Sequence, residues 1–165
     1  MLQNFKPSHY YDSIMSIDFS RFVHYRTIIF DYDNTLTKWS GVIPTNISGK
    51  IKKLSKNFEL FVFSNGKQKR VEESCQSLPL KAFGSCYKPQ LSKAIRIITA
   101  QKIDPKKTLF VGDNMITDIW FSNRLGMTSI LVDPLRKKEF LLTGIWRLCE
   151  KFLKLFITLK KDEIK

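Results

Sequence analysis

Four short runs of consecutive apolar residues, rich in β-branched and aromatic side chains, most constrain how this chain can fold. They span 27–30, 60–63, 108–111 and 128–132. Each run is apolar throughout rather than at alternate positions, which is typical of a strand buried on both faces. Helical patterns separate them at 47–56, 67–77, 92–101 and 118–125, and a weaker strand is expected at 81–85. This alternation predicts an α/β fold, a three-layer α/β/α sandwich around a parallel, Rossmann-like sheet.

The spacing of these elements predicts a single domain over residues 1–165. The chain has 165 residues, enough for one hydrophobic core. The intervals between the expected strands are short, so we expect no cap domain inserted between them. In a parallel sheet of this kind, ligands bind beyond the carboxyl ends of the strands.

The net charge points to an anionic partner. With 28 Lys and Arg against 15 Asp and Glu, the formal charge is +13. Such an excess is compatible with nucleic acid, an acidic membrane surface or a phosphorylated substrate, although part of it can serve solubility alone.

The cysteine count and the N-terminal segment together favour an intracellular protein. Three cysteines with no metal-ligand spacing indicate free thiols rather than a disulfide framework. The first residues lack the apolar stretch of a secretory signal, and no segment approaches the ~20 apolar residues of a membrane span. We therefore expect a cytoplasmic location.

Asp31 and Asp33 follow directly after the apolar run 27–30. Alternate residues of an extended chain share a face, so both carboxylates can point into one site at the end of the strand. Their mutual repulsion would be relieved by a divalent cation, leaving one carboxylate to attack and the other to carry a proton. A turn with an Asx cap would explain the pattern as well if it stood alone.

Three further groups of polar residues follow other expected strands. Ser64-Asn65-Gly66 offers a hydroxyl and backbone N–H groups suited to a phosphate oxygen, although it is also ordinary turn chemistry. Lys88 stands just before Pro89 and a helical pattern, where its position is constrained. The segment 112–118 begins with Gly112 and contains Asp113 and Asp118.

Because these groups end successive strands of one sheet, we expect them to converge on one crevice. They would supply a nucleophilic carboxylate, a proton-carrying carboxylate, a hydroxyl donor and a lysine. Carboxylate ligands without His or Cys favour Mg²⁺ over zinc. The set predicts phosphoryl transfer through an aspartyl-phosphate intermediate.

With these residues in this order, the chain resembles the haloacid dehalogenase superfamily of phosphatases. The four motifs of that superfamily appear in order as Asp31-x-Asp33-x-Thr35, Ser64, Lys88 and Gly112-Asp113-x4-Asp118. The resemblance implies that Asp31 is the nucleophile and Asp33 the general acid and base.

The resemblance also implies the remaining contacts of the site. Ser64 and Lys88 would hold the transferring phosphoryl group, with Thr35 and Asn65 beside them, and Lys88 would also steady Asp31. Mg²⁺ would be held by the Asp31 carboxylate, the Asp33 backbone carbonyl and Asp113. Asp118 would support the ion through water or orient the loop.

Over nearly its whole length the chain is similar to the small, capless phosphatidylglycerophosphate phosphatases of that superfamily. The features that carry this similarity are Phe5-x-Pro7-x-x-Tyr10, Asp33-Asn34-Thr35-Leu36 with Trp39, Ser64-Asn65, Lys88-Pro89, Thr117-Asp118 and Asn123-Arg124-x-Gly126. The resemblance implies hydrolysis of phosphatidylglycerophosphate to phosphatidylglycerol.

The C-terminal segment bears on the choice of substrate. An apolar stripe at helical spacing from Leu141 to Leu159, with basic residues opposite, predicts an amphipathic helix over about 138–160. Such a helix can lie in a membrane interface or simply cover the sheet. We expect an anionic phospholipid as substrate and peripheral docking at the inner face of the membrane. Nucleic acid is a less favoured partner, and a phosphomonoesterase acting on soluble or nucleic-acid-end substrates is the alternative.

Overall fold

A computed structural model describes residues 2–38 and 41–135. Its strands are β1 (His9–Tyr11), β2 (Thr27–Phe30), β3 (Glu59–Phe63), β4 (Lys81–Phe83), β5 (Thr108–Gly112) and β6 (Thr128–Val132). Its helices are α1 (Thr45–Leu54), α2 (Gln68–Cys75), α3 (Ser92–Ala100) and α4 (Phe121–Arg124), with a π-helical segment, Met115–Trp120, running into α4. Short 3₁₀ turns cover Leu2–Phe5, Ile14–Ser16, Phe19–Phe22 and Pro105–Lys107.

The described strands form one parallel sheet in the order β1-β6-β5-β2-β3-β4. The predicted parallel α/β fold is confirmed. The sequence patterns identified five of these strands and missed β1, a three-residue edge strand that pairs with β6. β1 is too short and too polar to register as an apolar run.

The helices cover the sheet on both faces because successive side chains of each strand point in opposite directions. Ile28 and Phe30 of β2 pack in a core with buried side chains of α1 and α2. Ile29, between them, packs in a second core with buried side chains of α3 and α4. Strands buried on both faces explain why β2 and β5 are continuously apolar.

The strand order places a crevice between β2 and β5. From β2 the chain moves outward through β3 to β4, then crosses back to β5 on the other side of β2. At such a switch point the loops after two neighbouring strands diverge, which leaves room for a ligand. Asp31 follows β2 and Asp113 follows β5 at this crevice.

The described part of the chain between Asp31 and Lys88 contains α1, β3, α2 and β4, and no cap unit is evident there. In the same part of the molecule, no helix has the length and apolar character needed to cross a membrane. The expected helix over 138–160, Trp39 and Cys149 lie outside the described residues. The single-domain organisation stays a prediction.

Candidate active site

The loop after β2 holds Asp31 at the sheet's edge. Its backbone N–H donates to the Val111 carbonyl at 2.8 Å, which continues the pairing of β2 with β5 by one residue. The chain then turns back, since the N–H groups of Leu36 and Thr37 both donate to the Tyr32 carbonyl. Asn34 adopts a φ of 65° in this turn, a conformation that Asn tolerates better than most residues. Asp31 is thereby fixed by the sheet rather than by a flexible loop.

Lys88 lies buried in the crevice between two carboxylates. Its Nζ atom is 2.7 Å from Asp31 Oδ1 and 2.6 Å from Asp118 Oδ1, and the residue is 4% exposed. Lys88 therefore contacts Asp31, and its role in steadying this residue stays a prediction. The contact with Asp118 was not anticipated from the sequence.

Asn65 positions Lys88 through its backbone. The Asn65 Oδ1 atom accepts from the Lys88 N–H at 2.6 Å, and Nδ2 donates to the Lys88 carbonyl at 2.8 Å. The side chain of Asn65 therefore ties the loop after β3 to the loop after β4. Its predicted contact with phosphate stays a prediction, because both polar atoms of the amide are engaged with Lys88.

The loop after β5 carries the other two carboxylates. Asp113 accepts a hydrogen bond from Thr35 Oγ1 at 3.3 Å, so Thr35 links the first motif to the last. Asp118 Oδ2 accepts from the Asn114 N–H at 3.0 Å, while its Oδ1 atom accepts from Lys88. Asn114 in turn begins the helical segment, since its Oδ1 accepts from the N–H groups of Ile116 and Thr117.

Together, Asp31, Asp113 and Asp118 form a cluster in which one carboxylate oxygen of each lies within 4.8 Å of the others. All three residues are buried. When ionised they carry three negative charges, and among the described residues Lys88 brings one ammonium to two of them, Asp31 and Asp118. Buried carboxylate oxygens that lie this close together suit a hard divalent cation. The donor set therefore fits Mg²⁺.

Burial and charge act against each other in this cluster. Burial raises the pKa of Asp31 to about 7, although the neighbouring Lys88 lowers it. Burial also opposes the charge on Lys88, but the carboxylates of Asp118 and Asp31 outweigh this effect and raise its pKa. Lys88 stays an ammonium shared between two carboxylates, which leaves Asp31 only partly compensated.

Asp33 makes a different contact. Its carboxylate pairs with the guanidinium of Arg70 through two hydrogen bonds, of 2.9 Å from Nη1 to Oδ1 and 2.6 Å from Nη2 to Oδ2. Asp33 is thus not one of the clustered carboxylates. From the sequence, Arg70 was expected only in a basic rim that meets anionic head groups, and its contact with Asp33 was not predicted. The basic residue lies 37 positions from Asp33, and nothing in the local pattern links the two.

Ser64 is fully buried at the end of β3. Its N–H donates to the Phe83 carbonyl and its own carbonyl accepts from the Cys86 N–H, which ties it to the chain after β4. The Ser64 hydroxyl accepts from the Gly66 N–H at 2.9 Å. Among the described residues its proton has no acceptor, so the hydroxyl can donate to a bound anion.

Comparisons with known proteins identify related sequences. A family described as HAD-hydrolase-like matches residues 85–134, which include Lys88, Asp113 and Asp118. A "Probable phosphatase YqeG" from Bacillus subtilis is 25% identical over 126 residues, covering 75% of this chain and 73% of that protein.

Two solved structures share the fold. A predicted HAD-like family hydrolase from Porphyromonas gingivalis superimposes with a TM-score of 0.56 at 16% identity, over 76% of this chain and 98% of the other. The cobalt-bound deoxy-D-mannose-octulosonate 8-phosphate phosphatase of Haemophilus influenzae superimposes with a TM-score of 0.50 at 13% identity. The superposition covers 82% of this chain and 90% of the other. The chain is thus similar in sequence to a HAD-hydrolase-like family over residues 85–134 and to a probable phosphatase, and it shares the fold of the two solved structures.

Proposed function

We propose that this protein is a Mg²⁺-dependent phosphatase that removes the terminal phosphate of phosphatidylglycerophosphate at the inner face of the membrane. The observation that carries the phosphatase chemistry is the meeting of Asp31, Asp113 and Asp118 around the buried ammonium of Lys88. A phosphoryl group brought there meets a carboxylate nucleophile and a cation that can offset charge on its oxygens.

The mechanism assigns each step to a residue of the chain. Asp31 attacks phosphorus, and Asp33 gives a proton to the leaving glycerol oxygen as the P–O bond breaks. Asp33 then takes a proton from the water that hydrolyses the aspartyl phosphate. Lys88 and the Ser64 hydroxyl hold the equatorial oxygens during both steps.

The cation would be held by the carboxylates of Asp31 and Asp113 and by the backbone carbonyl of Asp33. Asp118 would support it through water or orient the loop. When bound, Mg²⁺ supplies charge neutralisation of the phosphoryl oxygens and of the carboxylate cluster. Thr35 supports this role by donating to Asp113 and fixing that carboxylate.

A large, surface-presented substrate is favoured by the surroundings of the site. No cap unit is evident in the described residues between Asp31 and Lys88, so these elements do not enclose a small metabolite. Two loops at this edge expose apolar side chains, Val42 at 90% and Tyr87 at 62%. Tyr87 directly precedes Lys88, and Val42 follows Gly41, whose carbonyl accepts from the Tyr32 hydroxyl. Exposed apolar side chains on a protein with a net positive charge suit binding to an anionic lipid surface.

The direct test is phosphate release from phosphatidylglycerophosphate in mixed micelles with Mg²⁺. Controls are EDTA, Asp31→Asn and a panel of soluble phosphomonoesters. A strong preference for the lipid, lost with EDTA and in Asp31→Asn, is the expected result. Equal or faster turnover of soluble esters would keep the chemistry and reject the lipid substrate.

The alternative is a phosphomonoesterase with the same chemistry and another substrate, such as a nucleic-acid end. The charge of +13 favours it, and the structural neighbour from Haemophilus influenzae acts on a different kind of phosphate ester. Flotation with anionic vesicles in moderate salt separates the two, because only the lipid enzyme should float. Turnover of a 3′- or 5′-phosphorylated oligonucleotide without flotation would favour the alternative.

A further inference from the structure

Arg70 forms hydrogen bonds with Asp33, the residue proposed as the general acid. Its guanidinium projects from the first turn of α2, forms the two-point contact with Asp33, and lies over the Tyr32 ring with Cζ 5.1 Å from the ring centroid. The side chains of Arg70 and Asp33 are 35% and 21% exposed. The pair therefore lies at the mouth of the crevice, where a substrate can reach it.

Gly66 makes this position possible. A Cβ built on Gly66 would be 2.1 Å from Arg70 Nη2 and 3.0 Å from Cζ. The guanidinium thus lies directly against the backbone of the loop that carries Ser64. A side chain at position 66 would force the guanidinium of Arg70 to shift from this position.

The Arg70–Asp33 pair conflicts with the chemistry assigned to Asp33. Both carboxylate oxygens of Asp33 accept hydrogen bonds from the guanidinium, whereas the first step needs one of them to face the leaving oxygen. The leaving group must lie beside Asp33 in that step, and therefore also beside Arg70. A second anion on the leaving group would compete for the guanidinium.

The planar donor fork of arginine suits phosphate oxygens as well as it suits a carboxylate. We propose that Arg70 is a specificity-determining residue that binds a second phosphate carried by the leaving group. On binding, the guanidinium exchanges the Asp33 carboxylate for that phosphate and frees Asp33 for proton transfer. The exchange is non-covalent, so it replaces two hydrogen bonds and leaves the bond-making steps unchanged.

The proposal rests on the proposed phosphatase function and narrows its substrate class. It assigns a phosphomonoester whose alcohol carries a second phosphate a few atoms away. A phospholipid head group and its deacylated, water-soluble counterpart share this chemistry. A simple glycerol phosphate lacks the second phosphate.

The experiment compares wild type, Arg70→Gln, Arg70→Lys and Arg96→Gln, the last an exposed arginine of α3 that serves as a matched control. Steady-state kinetics use phosphatidylglycerophosphate micelles, soluble glycerophosphorylglycerol phosphate and sn-glycerol 3-phosphate. Calorimetry with glycerophosphorylglycerol, which retains only the second phosphate, measures binding without turnover.

We expect Arg70→Gln to raise KM about 10- to 100-fold for both two-phosphate substrates, the usual range for a lost charge-assisted contact. It should change the KM for sn-glycerol 3-phosphate less than about threefold. Arg70→Lys should show a smaller rise in KM than Arg70→Gln for the two-phosphate substrates. Arg70→Gln should weaken glycerophosphorylglycerol binding by the same factor by which it raises KM. Arg96→Gln should match wild type in all of these measurements.

Equal losses on all three substrates would overturn the proposal, because Arg70 would then act only by positioning Asp33. Unchanged kinetics in Arg70→Gln, or no binding of glycerophosphorylglycerol by wild type, would overturn it as well. If wild type binds glycerophosphorylglycerol through Arg70 but does not hydrolyse the lipid, the proposed substrate fails and the second-phosphate site stands.

Discussion

The backbone of Gly112 lies directly against the side chain of Asp118. A Cβ at position 112 would be 2.5 Å from Cβ, Cγ and Oδ2 of Asp118. Asp118 is 1% exposed, and its two carboxylate oxygens accept hydrogen bonds from Lys88 and from the Asn114 N–H. Its side chain therefore has no room to move away from an added Cβ. The loop after β5 can bring Asp118 to Lys88 only because residue 112 has no side chain.

We therefore expect Gly112→Ala to destabilise the protein by roughly 1–3 kcal/mol, the range for overpacking a well-filled interior. Gly49 is the matched control, because it lies within α1 and a Cβ there would meet nothing within 4 Å. Gly49→Ala should raise stability by roughly 0.5–1 kcal/mol through better helix propensity. Urea unfolding of both variants measures the contrast. Similar effects of the two substitutions would mean that the packing at Gly112 is looser than described.

Lys88 is expected to contribute to folding stability as well as to phosphate binding. Lys88→Met leaves the carboxylates of Asp31 and Asp118 buried without their shared cation. Breaking a buried ion pair from one side costs roughly 3–5 kcal/mol, so a large loss of stability is expected in EDTA.

The double variant Lys88→Met with Asp118→Asn serves as the control for this prediction, since it removes one of the two orphaned charges. Its thermal midpoint should lie above that of Lys88→Met alone. A double variant that is less stable than Lys88→Met would show that Asp118 contributes mainly through its bond from Asn114.

Asp31→Asn should separate chemistry from folding. Loss of the proposed nucleophile is expected to lower turnover on the order of 10⁴-fold or more. The fold should persist, because Asn is nearly isosteric and Lys88 keeps its contact with Asp118. Phosphate release and a thermal melt on the same preparation test both parts, and substantial residual turnover would remove Asp31 from the role of nucleophile.

Because the pKa of Asp31 is raised, its contribution to folding stability should fall as pH rises. An ordinary ion-paired carboxylate, whose pKa is lowered, has the opposite effect. Burial lifts the folded-state pKa from 3.8 to about 7, so the folded state binds more protons than the unfolded state between these values. Without a divalent cation, the contribution of Asp31 to stability should therefore fall as pH rises from about 4 to about 7. Asp31→Asn should lack this contribution, which melts of both proteins in EDTA across that range will measure.

The same proton competes with the cation. Mg²⁺ needs Asp31 ionised, so its apparent affinity should fall as pH drops below about 7, by at most about tenfold per unit. Calorimetric titration of Mg²⁺ at several pH values measures this slope. An affinity that does not change between pH 5 and 8 would mean that Asp31 is not a ligand.

Much of the architecture could be predicted because its determinants are local. A strand buried on both faces must be apolar throughout, and the runs at β2, β3, β5 and β6 meet that condition. β1 could not be recognised, since its three residues become a strand only through pairing with β6. The π-helical start of the segment before α4 likewise follows no local apolar period.

The sequence by itself determined which carboxylates could meet. Residues that end neighbouring parallel strands share an edge of the sheet, so Asp31, Asp113 and Lys88 could be assigned to one crevice from the sequence alone. Only the tertiary structure decided how their charges are paired. Lys88 is shared with Asp118, and Arg70 holds Asp33, because helix packing and the open backbone of Gly66 and Gly112 bring distant side chains within hydrogen-bond distance. Such contacts depend on orientation across separate elements, and no period along the chain encodes them.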